Sequence, residues 1–443
     1  MAFRLTLREF CAGIVTDANR ALWERAMNQS VKKRWKILKR TGVFLLGIII
    51  LLLIVRLIGK LYYSRTPDGG INEAMYIDVN GHEQWISIYG EDQDNPVLLN
   101  VHGGPGNSAS YIDWIALRKL AKDYTIVNWD QRNSGLTRIH DPQDAEITPE
   151  LMRKDIDTVA DYVLDYMNKD KLTILGMSWG SKYAGDYAAR HPEKVNCFIG
   201  TSIALDEFSD AYINQAILDY TEGRIDFRTA VDTYGYELFF YFGPYDATQN
   251  ITLQKKYYEG TKQALLELTE HDENYRALLN DYEPAAYVEW YHDQGNQALE
   301  QKAVETEKIE RKLLKQYGYD IFGGLSDLAK DADYSLVAAV FFNPYYSLGD
   351  WLRFRFEDYD HETVERLSVG FSLCEITDFE MPVYVLQGDQ DSHCGADQKY
   401  IEQLNAPDKG IRIIKGGHSS TLLQSDELAE FIHEIAEKQL NTD

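Results

Sequence analysis

The sequence predicts an α/β architecture: a mainly parallel sheet with helices on both faces, interrupted by a helical insertion and preceded by a helix that crosses a membrane. Three observations predict it. Short apolar runs alternate with helix-like stretches from about residue 75 to 205 and again beyond 380, the rhythm of strands joined by crossover helices. Residues 206–368 lose that rhythm and read as helices and loops rich in Tyr, Phe, Asp and Glu. Near the start, Gly42 to Val55 is unbroken apolar sequence.

The apolar run is short for a bilayer by itself, but it continues past Arg56 through Leu57, Ile58 and Gly59 to Leu61, Tyr62 and Tyr63. Arg56 and Lys60 are placed to snorkel to headgroups, and the two tyrosines suit the interfacial belt. Residues 41–63 are therefore expected to span. Lys32 to Arg40 carries six positive charges in nine residues, which should stay cytoplasmic. A cleaved signal peptide fits poorly, because the run starts late and no small-x-small site follows it. A buried core helix fits poorly, because no polar periodicity interrupts the run. The expected organisation is a basic cytoplasmic tail over 1–40, an anchor over 41–63 and a folded body outside the cytoplasm. Residues 1–30 have weak amphipathic spacing (Phe3, Leu5, Leu7, Phe10, Ile14) to which no function attaches.

The charge agrees with that division. The chain of 443 residues has a net charge of −25. Residues 1–65 hold 13 Lys and Arg against 3 Asp and Glu, and the remainder holds 32 against 67. The acidic body disfavours nucleic acid as a partner. Cys11, Cys197, Cys374 and Cys394 form no Cys-x-x-Cys, and three in the body imply no disulfide framework. The ten histidines include no His-Glu-x-x-His, so neither metal nor cofactor is expected.

The elements follow in order. Met75–Val79 and Glu83–Tyr89 flank Asn80-Gly81, a tight-hairpin signal. Residues 96–101 read as a buried strand, with a helix-like stretch then reaching Lys122 and a strand over 124–129. Thr148-Pro149 is a helix start, followed by Met152, Ile156, Val159, Val163 and Tyr166 at helical spacing. Strands over 171–175 and 195–200 flank a helix from Trp179 to Arg190. After the insertion, strands over 382–386 and 411–414 and a helix over 426–438 complete the body. The core is thus expected over 75–205 and 369–443, with a helical cap over 206–368.

Chemistry gathers at the strand ends, where open α/β sheets place their sites. Gly176-Met177-Ser178-Trp179-Gly180 lies directly between a strand and a helix, the context in which Gly-x-Ser-x-Gly lifts a serine hydroxyl clear of the sheet. A hydroxyl needs an adjacent base; His418, after the 411–414 strand, can take its proton and pass it to a leaving group. A carboxylate must hold the imidazole; Asp391 is the first choice and Asp389 the alternative. The order Ser…Asp…His fits this fold. His102-Gly103-Gly104-Pro105-Gly106 follows the 96–101 strand. There the backbone N–H of Gly104, with that of Trp179, is expected to stabilise a developing oxyanion. Pro105 has no N–H and stiffens the loop.

These motifs, with Asp130-Gln131-Arg132-Asn133-Ser134-Gly135 and His191-Pro192-Glu193, resemble the prolyl aminopeptidase (proline iminopeptidase) family of α/β hydrolases over roughly 75–205 and 380–440. The resemblance implies an α/β-hydrolase fold with a helical cap between the sixth and seventh core strands. It implies a catalytic triad of Ser178, Asp391 and His418, and loop support from His102, Asp130 and Arg132. It departs in the cap. The family holds a substrate amine with cap glutamates, one in a Glu-Asn-His-Tyr-like stretch; here Phe342-Asn343-Pro344-Tyr345 stands nearest, with phenylalanine in place of the carboxylate. Glu289 is not safely aligned with the other. Glu207, with Asp206 and Asp210, enters the cap and is a candidate carboxylate, and Phe342 and Tyr345 are candidate pocket residues. The aromatic run from Tyr234 to Phe242 suits a pocket or a cap core.

The expected activity is a serine hydrolase working through an acyl-enzyme, a prolyl-aminopeptidase-like exopeptidase on small peptides. Two alternatives stay open: a membrane-anchored carboxylesterase or amidase on ester or other non-peptide substrates, and a non-catalytic binding protein on the same scaffold. Epoxide hydrolase and dehalogenase chemistry would need a carboxylate where Ser178 stands.

Overall fold

The computed structural model describes residues 17–440 apart from 105, 107, 143–146, most of 206–296, 318–331, 357–372, 390, 392 and 393. Contacts divide the chain into two units, residues 1–63 and 64–443. Among its described residues the first contains one helix, α1 (Asp17–Tyr63). The segment expected to span is therefore the second half of a longer helix, which also takes in the basic stretch. Arg34–Tyr63 is long and apolar enough to cross a membrane by length and composition. The large apolar side chains from Val43 to Ile58 are exposed, as a lipid-facing helix requires.

The second unit is built on an eight-stranded sheet: β1 (Ile71–Val79), β2 (His82–Gly90), β3 (Val97–Val101), β4 (Thr125–Asp130), β5 (Leu172–Met177), β6 (Val195–Thr201), β7 (Val383–Gly388) and β8 (Lys409–Ile414). Their spatial order is β1-β2-β4-β3-β5-β6-β7-β8. β1 and β2 pair antiparallel, as do β2 and β4; the other pairs are parallel. The first hairpin turns at Asn80 and Gly81, with φ of 53° and 77°. Two consecutive left-handed residues make the turn that matches strand twist, and Asn-Gly tolerates it best.

Helices connect the parallel strands: α2 (Trp114–Leu117), α3 (Gly135–His140), α4 (Pro149–Met167) and α5 (Gly180–Arg190). Between β6 and β7 lie α6 (Gln297–Tyr317), α7 (Leu336–Phe342) and α8 (Leu348–Phe356); after β7 come α9 (Cys394–Gln403), α10 (Ser420–Leu423) and α11 (Ser425–Leu440). The Thr148 hydroxyl caps α4 by accepting from Leu151 N–H, and Asn168 ends it at φ 51°. Met152, Ile156, Val159 and Val163 are buried as their spacing predicts, but Tyr166 is exposed. The stretch expected to be helical up to Lys122 yields only α2 and a 3-10 turn over Arg118–Leu120. Its earlier residues are committed to loop bonds.

Alternate side chains on each strand fill two cores. Leu172 and Ile174 of β5 join Ile156 and Val159 of α4 on one face. Leu175 and Met177 join Leu117, Phe431 and Ile432 on the other. Each fully buried aliphatic side chain contributes about 1.5–3 kcal/mol relative to exposure. The fixed layers aim the parallel strands' carboxyl ends at one edge.

Candidate active site

Three strand ends meet at that edge. β5 ends at Met177 and the chain turns at Ser178, φ +49°, straight into α5. A left-handed serine costs about 1–2 kcal/mol and persists only where the surroundings hold it. Ser178 N–H donates to the Thr201 carbonyl at 2.9 Å. The Ser178 carbonyl accepts from Ser181 N–H (2.9 Å), Ala204 N–H (3.3 Å) and the Ser181 hydroxyl (2.5 Å). The flanking glycines are required by space. A Cβ on Gly176 would stand 2.5 Å from Ser181 Cα, and one on Gly180 would stand 2.3 Å from the Val101 and His102 carbonyl oxygens.

His418 follows β8. Its Nε2 lies 2.8 Å from Ser178 Oγ and its Nδ1 2.9 Å from Asp391 Oδ2. With Nδ1–H donating to the carboxylate, the Nε2 lone pair faces the serine proton. Asp391 is 5% exposed, and its Oδ2 also accepts from Gln387 Nε2 at 2.7 Å, which helps keep the carboxylate aimed. Asp389 instead accepts from Gly416 N–H at 2.9 Å, tying the acid's loop to the histidine's loop. Sequence reasoning missed Gln387; four positions before the acid, on a buried strand, it reads as an interior oddity.

The glycine loop after β3 lies against the serine turn. A Cβ on Gly103 would stand 2.8 Å from the Met177 carbonyl oxygen and 2.9 Å from Ser178 Cβ; Gly104 follows at φ +51°. Trp179, next after the serine, is buried. His102 anchors the loop. Gln131 N–H donates to His102 Nε2 at 3.2 Å, so Nε2 is an acceptor and Nδ1–H donates to the Gly103 carbonyl at 2.8 Å. Burial holds His102 below the usual imidazole range, consistent with that neutral ring. Gln131 Nε2 also donates to the His102 carbonyl at 2.9 Å.

Asp130, at the end of β4, is buried and accepts from the hydroxyls of Ser108 (2.5 Å) and Tyr346 (3.0 Å) and from Leu136 N–H (2.7 Å). Burial nevertheless pushes its carboxyl above the usual range. Tyr346 also bonds Ser110 Oγ at 2.8 Å, and Asn343 Nδ2 donates to the carbonyls of Ser110 (3.1 Å) and Tyr111 (3.2 Å). The segment after α7 thus clasps the chain beyond the glycine loop. Nothing local in the sequence pairs residues more than 230 positions apart.

Arg132 was expected to support the loop. It makes a bidentate pair with Asp155 of α4 (2.7 and 3.0 Å) and donates to the Val79 carbonyl at 3.1 Å. It joins α4 to the first hairpin, and Gln131 serves the loop. Tyr345 packs edge-on against Trp85 at 5.3 Å between ring centroids. Trp85 lies on β2, three strands from β5, or about 14 Å. Phe342 ends α7 half-buried against Phe341. No described bond or ring contact joins either to Ser178, Asp391 or His418. Glu289 is exposed. Glu207, Asp206, Asp210 and the aromatic run from Tyr234 to Phe242 lie outside the described residues. Cys197 is buried on β6, as expected of a small apolar residue. Among the described residues no group of three or more His, Cys, Asp or Glu could hold a metal ion.

Known proteins are similar to parts of this chain. The probable aminopeptidase YbaC of Bacillus subtilis (strain 168) is 32% identical over 152 residues, covering 33% of this chain and 47% of that protein. A proline iminopeptidase of Lactobacillus helveticus (strain DPC 4571) is 29% identical over 123 residues, covering 28% and 40%. The chain thus spans about half or less of the length of these curated relatives. A solved structure of proline iminopeptidase from Mycobacterium smegmatis matches 84% of this chain and 100% of its own at 16% identity, with a TM-score of 0.41. Residues 96–424, from the approach to β3 through the serine turn and past His418, match the family described as the alpha/beta hydrolase fold. With that match covering most of the sequence, the chain belongs to the α/β hydrolase fold family.

Proposed function

We propose that the chain is a membrane-anchored serine hydrolase that removes an N-terminal residue from small peptides through an acyl-enzyme. The observation that carries this reading is the continuous hydrogen-bonded series Ser178 Oγ–His418–Asp391, at 2.8 and 2.9 Å. In it, His418 takes the Ser178 proton as the hydroxyl attacks the carbonyl. Asp391 stabilises the imidazolium, and the N–H groups of Gly104 and Trp179 receive the oxyanion. His418 then protonates the leaving group and activates the water that frees Ser178. Residues 206–368 act as the cap. Within it, Glu207 is assigned to a substrate ammonium and Phe342 to an apolar wall. Tyr345, edge-on against Trp85, is assigned to packing. Relatives named as aminopeptidase and proline iminopeptidase support the peptidase reading. The exposed apolar half of α1 supports an anchor over 41–63, and the basic stretch before it supports a cytoplasmic N-terminus.

One observation favours an esterase instead: Phe342 stands where the resembled family has an amine-binding glutamate. Full-length protein in detergent separates the readings. A fluorophosphonate probe should label wild type and leave Ser178→Ala unlabelled; equal labelling sinks the catalytic assignment. Pro- and Ala-arylamides should be cleaved faster than their N-blocked forms and short aryl esters. The reverse preference makes the protein an esterase. Protease added to intact cells should remove the body, and a protected body would refute the proposed orientation.

A further inference from the structure

Five non-glycine residues have φ above zero among the described residues: Asn80, Asn133, Asn168, Ser178 and Ser202. Asparagine enters this region readily. The two serines do not, and one of them is the proposed nucleophile. Ser202, φ +44°, stands immediately after β6, where the chain leaves the sheet for the insertion. It is 2% exposed. An unfavourable backbone at a buried residue points to work done by its side chain.

We propose that Ser202 is a positioning residue for the catalytic histidine, an inference that rests on the serine hydrolase reading. Its hydroxyl donates to the His418 carbonyl at 2.7 Å. A serine has one proton to give, so the 3.0 Å contact with Thr421 Oγ1 is completed by the Thr421 hydroxyl donating to Ser202 Oγ. Thr421, in α10, is also 2% exposed. Ser202 N–H donates to the Leu386 carbonyl on β7 at 3.0 Å. The residues on either side hold the nucleophile: the Thr201 carbonyl accepts from Ser178 N–H, and Ala204 N–H donates to the Ser178 carbonyl and to Ser181 Oγ at 3.0 Å. One four-residue turn is therefore bonded to the backbones of both Ser178 and His418. It sets how far the base stands from the hydroxyl, a spacing in which small errors cost large factors in rate. The left-handed φ aims the Ser202 hydroxyl at the histidine's loop while Thr201 and Ala204 face the serine's turn.

Glycine at this position separates positioning from simple structural support. Ser202→Gly relieves the backbone and removes the hydroxyl. Thermal stability should hold or rise, while kcat per active site, counted by fluorophosphonate titration of the full-length protein, should fall by about tenfold or more with KM within about twofold. Thr421→Val should lower kcat in the same way, and Thr421→Ser should recover the turnover lost in Thr421→Val. The double variant Ser202→Gly with Thr421→Val should lose less than the product of the single losses, because the two hydroxyls act through one carbonyl. Wild-type kcat per titrated site in Ser202→Gly overturns the proposal, as does a rise in KM alone. Failure of wild type itself to label or to hydrolyse aryl esters and arylamides would overturn the hydrolase reading instead.

Discussion

Two clusters of serine, histidine and aspartate among the described residues stand on the same edge of the sheet, and their hydrogen bonding differs. At the ends of β3 and β4, His102 lies beside Ser134 at 3.0 Å, near Asp130 with Ser108 and Ser110. At the ends of β5, β7 and β8 stand Ser178, Asp391 and His418. The first histidine is buried, and its Nε2 accepts a backbone N–H from Gln131. Its lone pair is already used, and the neighbouring Ser134 hydroxyl donates to the Gln131 carbonyl at 2.7 Å. In the second cluster the histidine turns its Nε2 to a half-exposed serine at 2.8 Å, held in a strained turn. Residue types do not make a triad; tautomer, access and strain do. On the proposed reading the first cluster braces the loop and the second does the chemistry.

Exchanging the carboxylates for amides gives the largest contrast. Asp391→Asn should lower kcat by about 10⁴-fold with the fold intact, because an amide cannot stabilise the imidazolium and favours the wrong tautomer. Asp130→Asn places an amide N–H among the donors from Ser108, Tyr346 and Leu136. It should lower stability by about 1–3 kcal/mol, with kcat per titrated site changed far less. Steady-state kinetics paired with urea unfolding measure both. Comparable losses of kcat in the two variants would erase the division of labour.

Next in size is the Arg132–Asp155 pair, buried on both sides. Arg132→Met leaves Asp155 with only the amide donors of Asn80 and Gln84 and should lower stability by about 3–5 kcal/mol. Turnover per titrated site should persist wherever the variant is folded, and a specific loss of kcat would restore Arg132 to the loop.

These assignments show where the sequence is readable. The strands, the capped helix at Thr148-Pro149 and the triad are local signals: each reactive residue directly follows an apolar run. The partner of Arg132 was not legible, because contiguity with Asp130 and Gln131 says nothing about direction once β4 ends, and its side chain reaches α4. Asn343 and Tyr346 act on residues far away in sequence, and Ser202 matters through a φ that only the assembled sheet imposes. The short α2 has a similar cause. Ser110 and Tyr111 are bound by the segment after α7 and Ser108 by Asp130, so the chain cannot coil there before it enters β4.

The brace side also holds a protonated carboxyl. Asp113 is buried near Asp130, and burial first and Asp130 second push its carboxyl up to about 8. Folded Asp113 therefore keeps its proton between about pH 4 and 8, while the unfolded chain has released it. The stability from this group is present in acid and is lost as pH rises through that window. Asp113→Asn removes the titration, so the variant should gain on wild type by a few kcal/mol between pH 5 and 8. Urea midpoints at pH 5, 6.5 and 8 measure this; parallel profiles would place the Asp113 carboxyl back in the usual range.

The smallest expected effect tests the boundary between the two sides. Tyr345 was a candidate substrate residue, yet its ring packs on Trp85 and its hydroxyl reaches Asn72 Oδ1 only at 3.5 Å. A hydrogen bond that long is weak, and the ring contact does not need the hydroxyl. Tyr345→Phe should thus change stability by no more than about 0.5 kcal/mol and leave kcat and KM for arylamides as they are. Tyr345→Ala, which deletes the ring, should lower stability by about 3–5 kcal/mol, again with KM unchanged in the folded fraction. A rise in KM in either variant would bring substrate to the β2 side of the sheet and show that the brace and the reacting cluster share a pocket.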